Sequence, residues 1–329
     1  MSSIEDQNFV SNINSIITYL IYYFSVYIVN FGIIVNILNI MVFSNPRVRK
    51  GQTGTYNILI SFFNILSLVF FQLNVLAPAI GMQDLKLQSN FACFSISYFT
   101  RVFSQMSTWI TILATLDRVI MISKENRFKF FNDKKFLIWI ILALFFFLSA
   151  VNVPNLFVEL STYSVEKLKT NQTITYTVCK SNNLVSSLRS FAQAIFRSLL
   201  PVILAIFFNI VLLKKLARNR DLLNENLKFR REFRFSYIIV FLNFFSIAAL
   251  LPLLFIAIYF GIQGLAVTTN VSLNASKTEA IAQLIYFCII SFQSYMFCSL
   301  FFINLFIDKQ FKREIRMIFC GPILTQYAF

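Results

Sequence analysis

Few side chains in this sequence can do chemistry, and most of them stand alone. The densest set lies in Cys93–Ile122, CFSISYFTRVFSQMSTWITILATLDRVIMI. It has a cysteine at one end, Arg101 and Gln105 within, and the pair Asp117-Arg118 near the other end. One more cation, Arg197, sits inside a different apolar run. The chain has no His, which removes the usual general base and most metal sites. No apolar run gathers Asp, Glu or a nucleophile, so neither catalysis, a metal nor a cofactor is expected. What remains is ion pairing, thiol oxidation and the recognition of an anion by a guanidinium. An Arg inside a membrane costs about 2.5–3.5 kcal/mol on insertion scales, so it needs a partner, a water-filled cavity or a path to the surface. A planar Arg fork can hold a carboxylate by two hydrogen bonds. Arg101, with Gln105 one turn further along the same face, and Arg197 are therefore candidates for an anion-binding pocket.

The elements that must position these residues are apolar helices. The chain is 57% hydrophobic and 13% charged, too apolar for a soluble globular protein. Long apolar runs cover about 17–43, 55–80, 93–122, 136–158, 191–213, 235–260 and 280–307, each of membrane-spanning length. The expected fold is an all-α membrane protein, a seven-helix bundle over 17–307 between a polar amino terminus (1–16) and a tail (308–329). Cys93 and Arg118 would lie about 37 Å apart along a helix at roughly 1.5 Å per residue. A bilayer core is about 30 Å thick, which puts the cysteine at one interface and the Asp-Arg pair at the other. Pro78, Pro154, Pro201 and Pro252 mark kinks. In the tail, Phe311, Ile315 and Ile318 share one face while Lys309, Lys312, Arg313 and Arg316 lie elsewhere. That pattern predicts a short amphipathic helix on the membrane surface, in contact with lipid.

The net charge of +15 could suggest a nucleic-acid partner, but its distribution excludes one. Alternate connections and the tail hold twenty of the 29 Lys and Arg, the other four segments six. The positive-inside rule then places the tail in the cytoplasm and the amino terminus outside. The sequons at Asn171, Asn270 and Asn274 all fall on the side assigned to the exterior, where glycosylation occurs. Cys320, beside basic residues after the amphipathic helix, is a palmitoylation candidate.

A cysteine opening an apolar helix and an Asp-Arg near its far end resembles the third helix of class A (rhodopsin-like) G-protein-coupled receptors. Gly32 and Asn36 are similar to the pattern of the first helix, and Pro201 and Pro252 to the prolines of the fifth and sixth. Asp308-Lys309-Gln310-Phe311-Lys312 is similar to the start of the helix that follows the seventh. The resemblance implies a plasma-membrane receptor that couples an extracellular ligand to a heterotrimeric G protein. It implies a Cys93–Cys179 bridge, both cysteines being at the oxidising side. Arg118, paired with Asp117 at rest, would meet the G protein when released. Thr100 stands where amine receptors carry an Asp, so the ligand is expected to be a short peptide, or else a small acid. There are departures. The third-helix motif lacks its Tyr, Asn64 replaces the sodium-site Asp, and Leu250 stands two residues before Pro252 where the family has an aromatic residue. The seventh-helix motif reads Leu300-Phe301-Phe302-Ile303-Asn304, and Trp139 lies closer to Arg118 than in the family.

A transporter or ligand-gated channel is the alternative. Transporters break helices with Gly and Pro and show repeats; here only Gly32 is expected inside a span and no repeat is visible. A retinal protein would need a Lys in 280–307, where there is none.

Overall fold

The computed structural model describes residues 4–46, 48, 52–79, 85–122, 133–167, 172–218, 227–266 and 277–324. Among these lie helices α1 (Ile4–Tyr23), α2 (Asn30–Ser44), α3 (Gln52–Ala79), α4 (Asn90–Ile122) and α5 (Lys134–Val151). A hairpin of β1 (Glu159–Lys167) and β2 (Gln172–Lys180) follows. The rest is α6 (Asn183–Ala192), α7 (Leu200–Arg218), α8 (Leu227–Ala266), α9 (Lys277–Ile307) and α10 (Lys309–Leu324).

Several boundaries differ from the sequence reading for identifiable reasons. A π-helical turn, Phe24–Val29, joins α1 to α2 in one continuous rod. The rod starts at Ile4, so most of the expected polar terminus 1–16 is helical. Ile13 and Ile17, four residues apart, bury against Ala280 of α9 and carry the apolar face back into the polar stretch. In the fourth run, Asp133 caps α5 by accepting from the Lys135 N–H at 3.0 Å. Pro154 then opens a 3₁₀ turn, Val153–Phe157, where the expected span continued to 158. The polar segment 159–189 is not a plain loop. Nine residues of β1 pair antiparallel with nine of β2, Leu160 opposite Cys179, so the chain is not wholly α-helical. Asn182 next caps α6 by accepting from the Val185 N–H, and a second π-helical turn, Gln193–Leu199, runs it into α7. That helix therefore begins eight residues earlier than expected (183 against 191) and takes Arg189 into it.

Five helical stretches among the described residues are long and apolar enough to cross a membrane: Val26–Ser44, Gln52–Leu73, Asn183–Arg218, Phe233–Ile262 and Ala280–Ile307. Two expected spans are not among them. α5 is apolar but short, and α4 is long but carries Arg101, Gln105 and a row of Ser and Thr through its middle. Gly261 falls inside the fourth stretch, against the expectation of Gly32 alone; its Cα faces the Phe191 ring.

α4 is the centre of the bundle and packs on α3, α5, α7 and α8. Val102, Met106 and Ile110, at helical spacing, join Ile60, Leu242 and Leu300 in the largest core cluster. The exterior is the reverse of a soluble protein's. Trp139 is 71% and Phe306 76% exposed, whereas Asn36, Asn39, Asn57, Asn64, Asn243 and Asn304 are buried. In lipid, apolar bulk outside and satisfied polar groups inside is the stable arrangement. The protein is a multi-pass, mainly helical membrane protein. α10 departs from the bundle at Asp308, which accepts from the Gln310 N–H. It docks by Phe311, whose ring centroid is 5.6 Å from those of Phe43 and Phe301. Ile315 is buried with it, as the amphipathic pattern predicts, while Ile318 is exposed and Glu314 is buried, accepting from Asn45.

Gly32 permits a close helix approach. A Cβ there would lie 2.7 Å from Cys298 Sγ and 2.8 Å from a Leu68 methyl. Gly32→Ala is expected to destabilise the bundle by roughly 1–3 kcal/mol, the usual range for overpacking. Cys298→Ala in the same chain should restore part of the loss, read as the thermal midpoint of the purified protein.

Candidate functional site

The chemistry lies at the two ends of α4. At the Cys93 end, Cys93 and Cys179 form a disulfide with Cα atoms 5.8 Å apart, which pins the hairpin to the top of the helix. Beneath it is a cavity of about 470 Å³, within the size range of small-ligand sites. It is walled by α3, α4, α6, the adjoining π turn and α9, and Lys86, Arg101, Arg189 and Arg197 all line it. Among the described residues, no Asp or Glu does.

Each arginine is set by local backbone chemistry. Arg101 Nη1 donates to Asn155 Oδ1. Asn155 in turn donates to the Asn152 carbonyl at 3.0 Å, and Asn152 Nδ2 donates to Gln105 Oε1 at 2.8 Å. The end of α5 thus braces Arg101. Arg197 sits in the π turn before Pro201. Pro201 has no N–H to offer the carbonyl one turn back, that of Arg197, which favours a locally rewound turn. The Leu200 N–H reaches Ile195 O, five residues back, and Phe196 O is left to accept from Trp109 Nε1 at 3.0 Å. Trp109 on α4 so locks the turn that presents Arg197. Arg197 Nη2 donates to Gln293 Oε1 at 2.7 Å, leaving Arg197 Nε and Gln293 Nε2 buried without a partner.

Of the expected pocket residues, Thr100, Arg101 and Arg197 line this cavity. Gln105 does not: it lies buried between α4 and Asn152. A residue four positions along a helix shares a face, but here the end of α5 covers that part of it. Arg189 and Gln293 were missed. Arg189 reads as a loop residue until α6 carries it inward, and Gln293 as a single amide in an apolar run. Glu159 lies in a separate surface pocket with Lys180.

At the other end, Arg118 is fully buried and pairs with Asp117 Oδ2 at 2.6 Å. The Phe235 ring of α8 closes over the guanidinium at 5.0 Å. Breaking a buried pair by removing one partner costs about 3–5 kcal/mol, so the pair resists opening.

Buried amides lead from one end toward the other. Phe297 on the cavity wall accepts through its carbonyl from Asn36 Nδ2 (2.9 Å) and Asn64 Nδ2 (3.0 Å). Ser107 donates to Asn64 Oδ1. Lower down, Asn304 donates to Asn57 at 3.0 Å and lines a small crevice with Phe235. Asn243 on α8 donates at 2.8 Å to both Thr115 of α4 and Asn209 of α7. The sequence signal for this network was the repeated Asn inside apolar runs, each costly to bury alone.

Asn171, Asn270 and Asn274 lie outside the described residues, as does the side chain of Cys320. Cys298 is a buried free thiol and Cys288 an exposed one. The described residues contain no cluster of His, Cys, Asp or Glu that could hold a metal. The sequence matches no known family model and no curated protein.

The disulfide generates a direct check. Non-reduced peptide mapping should recover Cys93 linked to Cys179, and Cys179→Ser should cost about 2–4 kcal/mol of stability, visible as reduced delivery to the cell surface.

Proposed function

We propose that this protein is a cell-surface receptor of the class A G-protein-coupled kind, converting ligand binding outside the cell into G-protein activation inside. One observation carries the reading: the buried Asp117–Arg118 pair, closed by Phe235, lies on the same helix as the disulfide and the cavity wall. On this reading α4 and α5 join the five apolar stretches as a seven-helix bundle. On the same reading the cavity faces outside and Arg118 the cytoplasm, in the plasma membrane, an orientation that the charge distribution supports. Basic side chains around Arg118 favour anionic lipid and the G protein alike. The ligand is a short peptide or a small anionic molecule that fits the cavity.

The mechanism follows from the contacts. A ligand that pulls α6, α7 and α9 toward α4 at the cavity competes with the bonds holding α8 to α4 at the other end. Those bonds are Asn243 to Thr115 and the Phe235 lid over Arg118. Pro252 within α8 weakens the helix ladder above them and gives a point of bending. When α8 swings away, Arg118 is exposed to the G protein. Such a shift requires the ligand to prefer the open state. A transporter or channel is the second reading, consistent with a polar interior.

Basal nucleotide exchange on co-expressed G protein tests the proposal without a known ligand. Asp117→Asn, which frees Arg118 from its anion, should raise basal exchange several-fold. Arg118→Ala should bring it to background at unchanged surface level. Basal exchange indifferent to both changes, with solute flux or current in G-protein-free vesicles, would replace the receptor by the transporter or channel.

A further inference from the structure

The cavity at the Cys93 end concentrates hydrogen-bond donors and positive charge beyond what one carboxylate uses. Arg101, Arg189 and Arg197 come from three different segments and converge on one space of about 470 Å³. Among the described residues none of the three has a carboxylate partner, and their side chains make only neutral hydrogen bonds, from Arg101 to Asn155 and from Arg197 to Gln293. Gln293, 2% exposed, keeps an unpartnered Nε2, and Arg197 an unpartnered Nε. Both are donors. The hydroxyls of Thr100, Ser104 and Ser294 spend their hydrogens on helix carbonyls, so the donors offered to the space are those of the guanidinium groups and of Gln293. A cation would find like charge, and a neutral ligand would leave three guanidinium groups crowded together without an anion. A single carboxylate could engage one Arg fork with two bonds and leave the rest uncompensated.

We propose that this cavity binds a small organic dianion, a dicarboxylate or a phosphate monoester, held between Arg101, Arg189 and Arg197 with Gln293 as a further donor. The inference deepens the receptor reading and rests on it for the signalling consequence; binding itself does not depend on it. Tyr286, also on the wall, gives an aromatic side against which the carbon skeleton can lie. The braced guanidinium forks of Arg101 and Arg197 offer directed hydrogen bonds that match carboxylate and phosphate oxygens, which is why Lys should substitute poorly.

The test is thermal unfolding of the purified full-length protein in lipid nanodiscs, with no G protein present. Succinate and glycerol 3-phosphate are compared with butyrate, with succinamide, and with sodium chloride at matched ionic strength. A bound ligand raises the midpoint in proportion to its occupancy. At least one dianion should stabilise strongly, butyrate weakly, and succinamide and salt not at all. The stronger dianion assigns the anionic group as carboxylate or phosphate. Arg101→Gln and Arg197→Gln should each weaken apparent affinity about tenfold, the loss expected for one charge-assisted contact. Should either variant fail to fold, Arg→Lys at the same position keeps the charge and should still bind more weakly than wild type. Equal stabilisation by succinate and butyrate, or by succinamide, would overturn the proposal, as would affinity unchanged in both variants. A dianion that binds but never alters nucleotide exchange would leave this site standing and remove the receptor reading. Nucleotide exchange driven through this cavity by an uncharged ligand would do the opposite.

Discussion

A buried amide surrounded by hydrocarbon must find its hydrogen bonds inside the protein, because lipid offers none. That requirement holds α2, α3, α4 and α9 together. Asn36 and Asn64 both reach the carbonyl of Phe297, and Ser107 completes the oxygen of Asn64. The geometry depends on backbone proximity, which Gly32 permits by leaving space for Cys298 and Leu68. Small residue and polar contact are one device here: the first brings the helices close and the second makes their separation costly. Apolar side chains fill the remaining volume, but packing against lipid-like neighbours does not choose one helix arrangement over another as strongly as an unsatisfied amide does.

The same logic explains why α4 carries the chemistry. It packs on α3, α5, α7 and α8, and several of its polar residues are partnered across: Thr100 to Phe70 and Ser107 to Asn64 of α3, Thr115 to Asn243 of α8. Its disulfide fixes one end against the hairpin, while its other end holds a cation that is paired with Asp117 and covered by the face of Phe235. The two ends differ in electrostatic state. The Arg118 charge is compensated by an adjacent carboxylate and its site is closed. The arginines at the Cys93 end are braced by neutral amides and face an open cavity. A compensated charge needs nothing further, whereas an uncompensated cluster is a standing preference for an anion.

The π-helical turn Gln193–Leu199 shows how irregular backbone serves the site. Around Arg197, the missing N–H of Pro201 and the carbonyl taken by Trp109 shift the helix by one residue and turn the guanidinium toward Gln293. Neither Pro201 nor Trp109 touches the cavity, yet both decide where Arg197 points.

Much of this was legible in the sequence, because hydropathy and charge act locally and additively along the chain. The apolar runs, the amphipathic α10 and the polarised loops follow from composition alone. The Cys93–Cys179 pairing and the Asp117–Arg118 pair came from a resemblance to receptors, and both partnerships occur here. The helical continuation to Ile4, the hairpin and the inward place of Arg189 were not legible, since each depends on contacts with segments far away in sequence. Gln105 and Arg101 share a helical face, and only the end of α5 decided that one is covered while the other meets the cavity. Side-chain type and spacing determine what a helix can present; which of those groups meets a partner, and which is left facing empty space, is settled by the neighbours that tertiary packing brings.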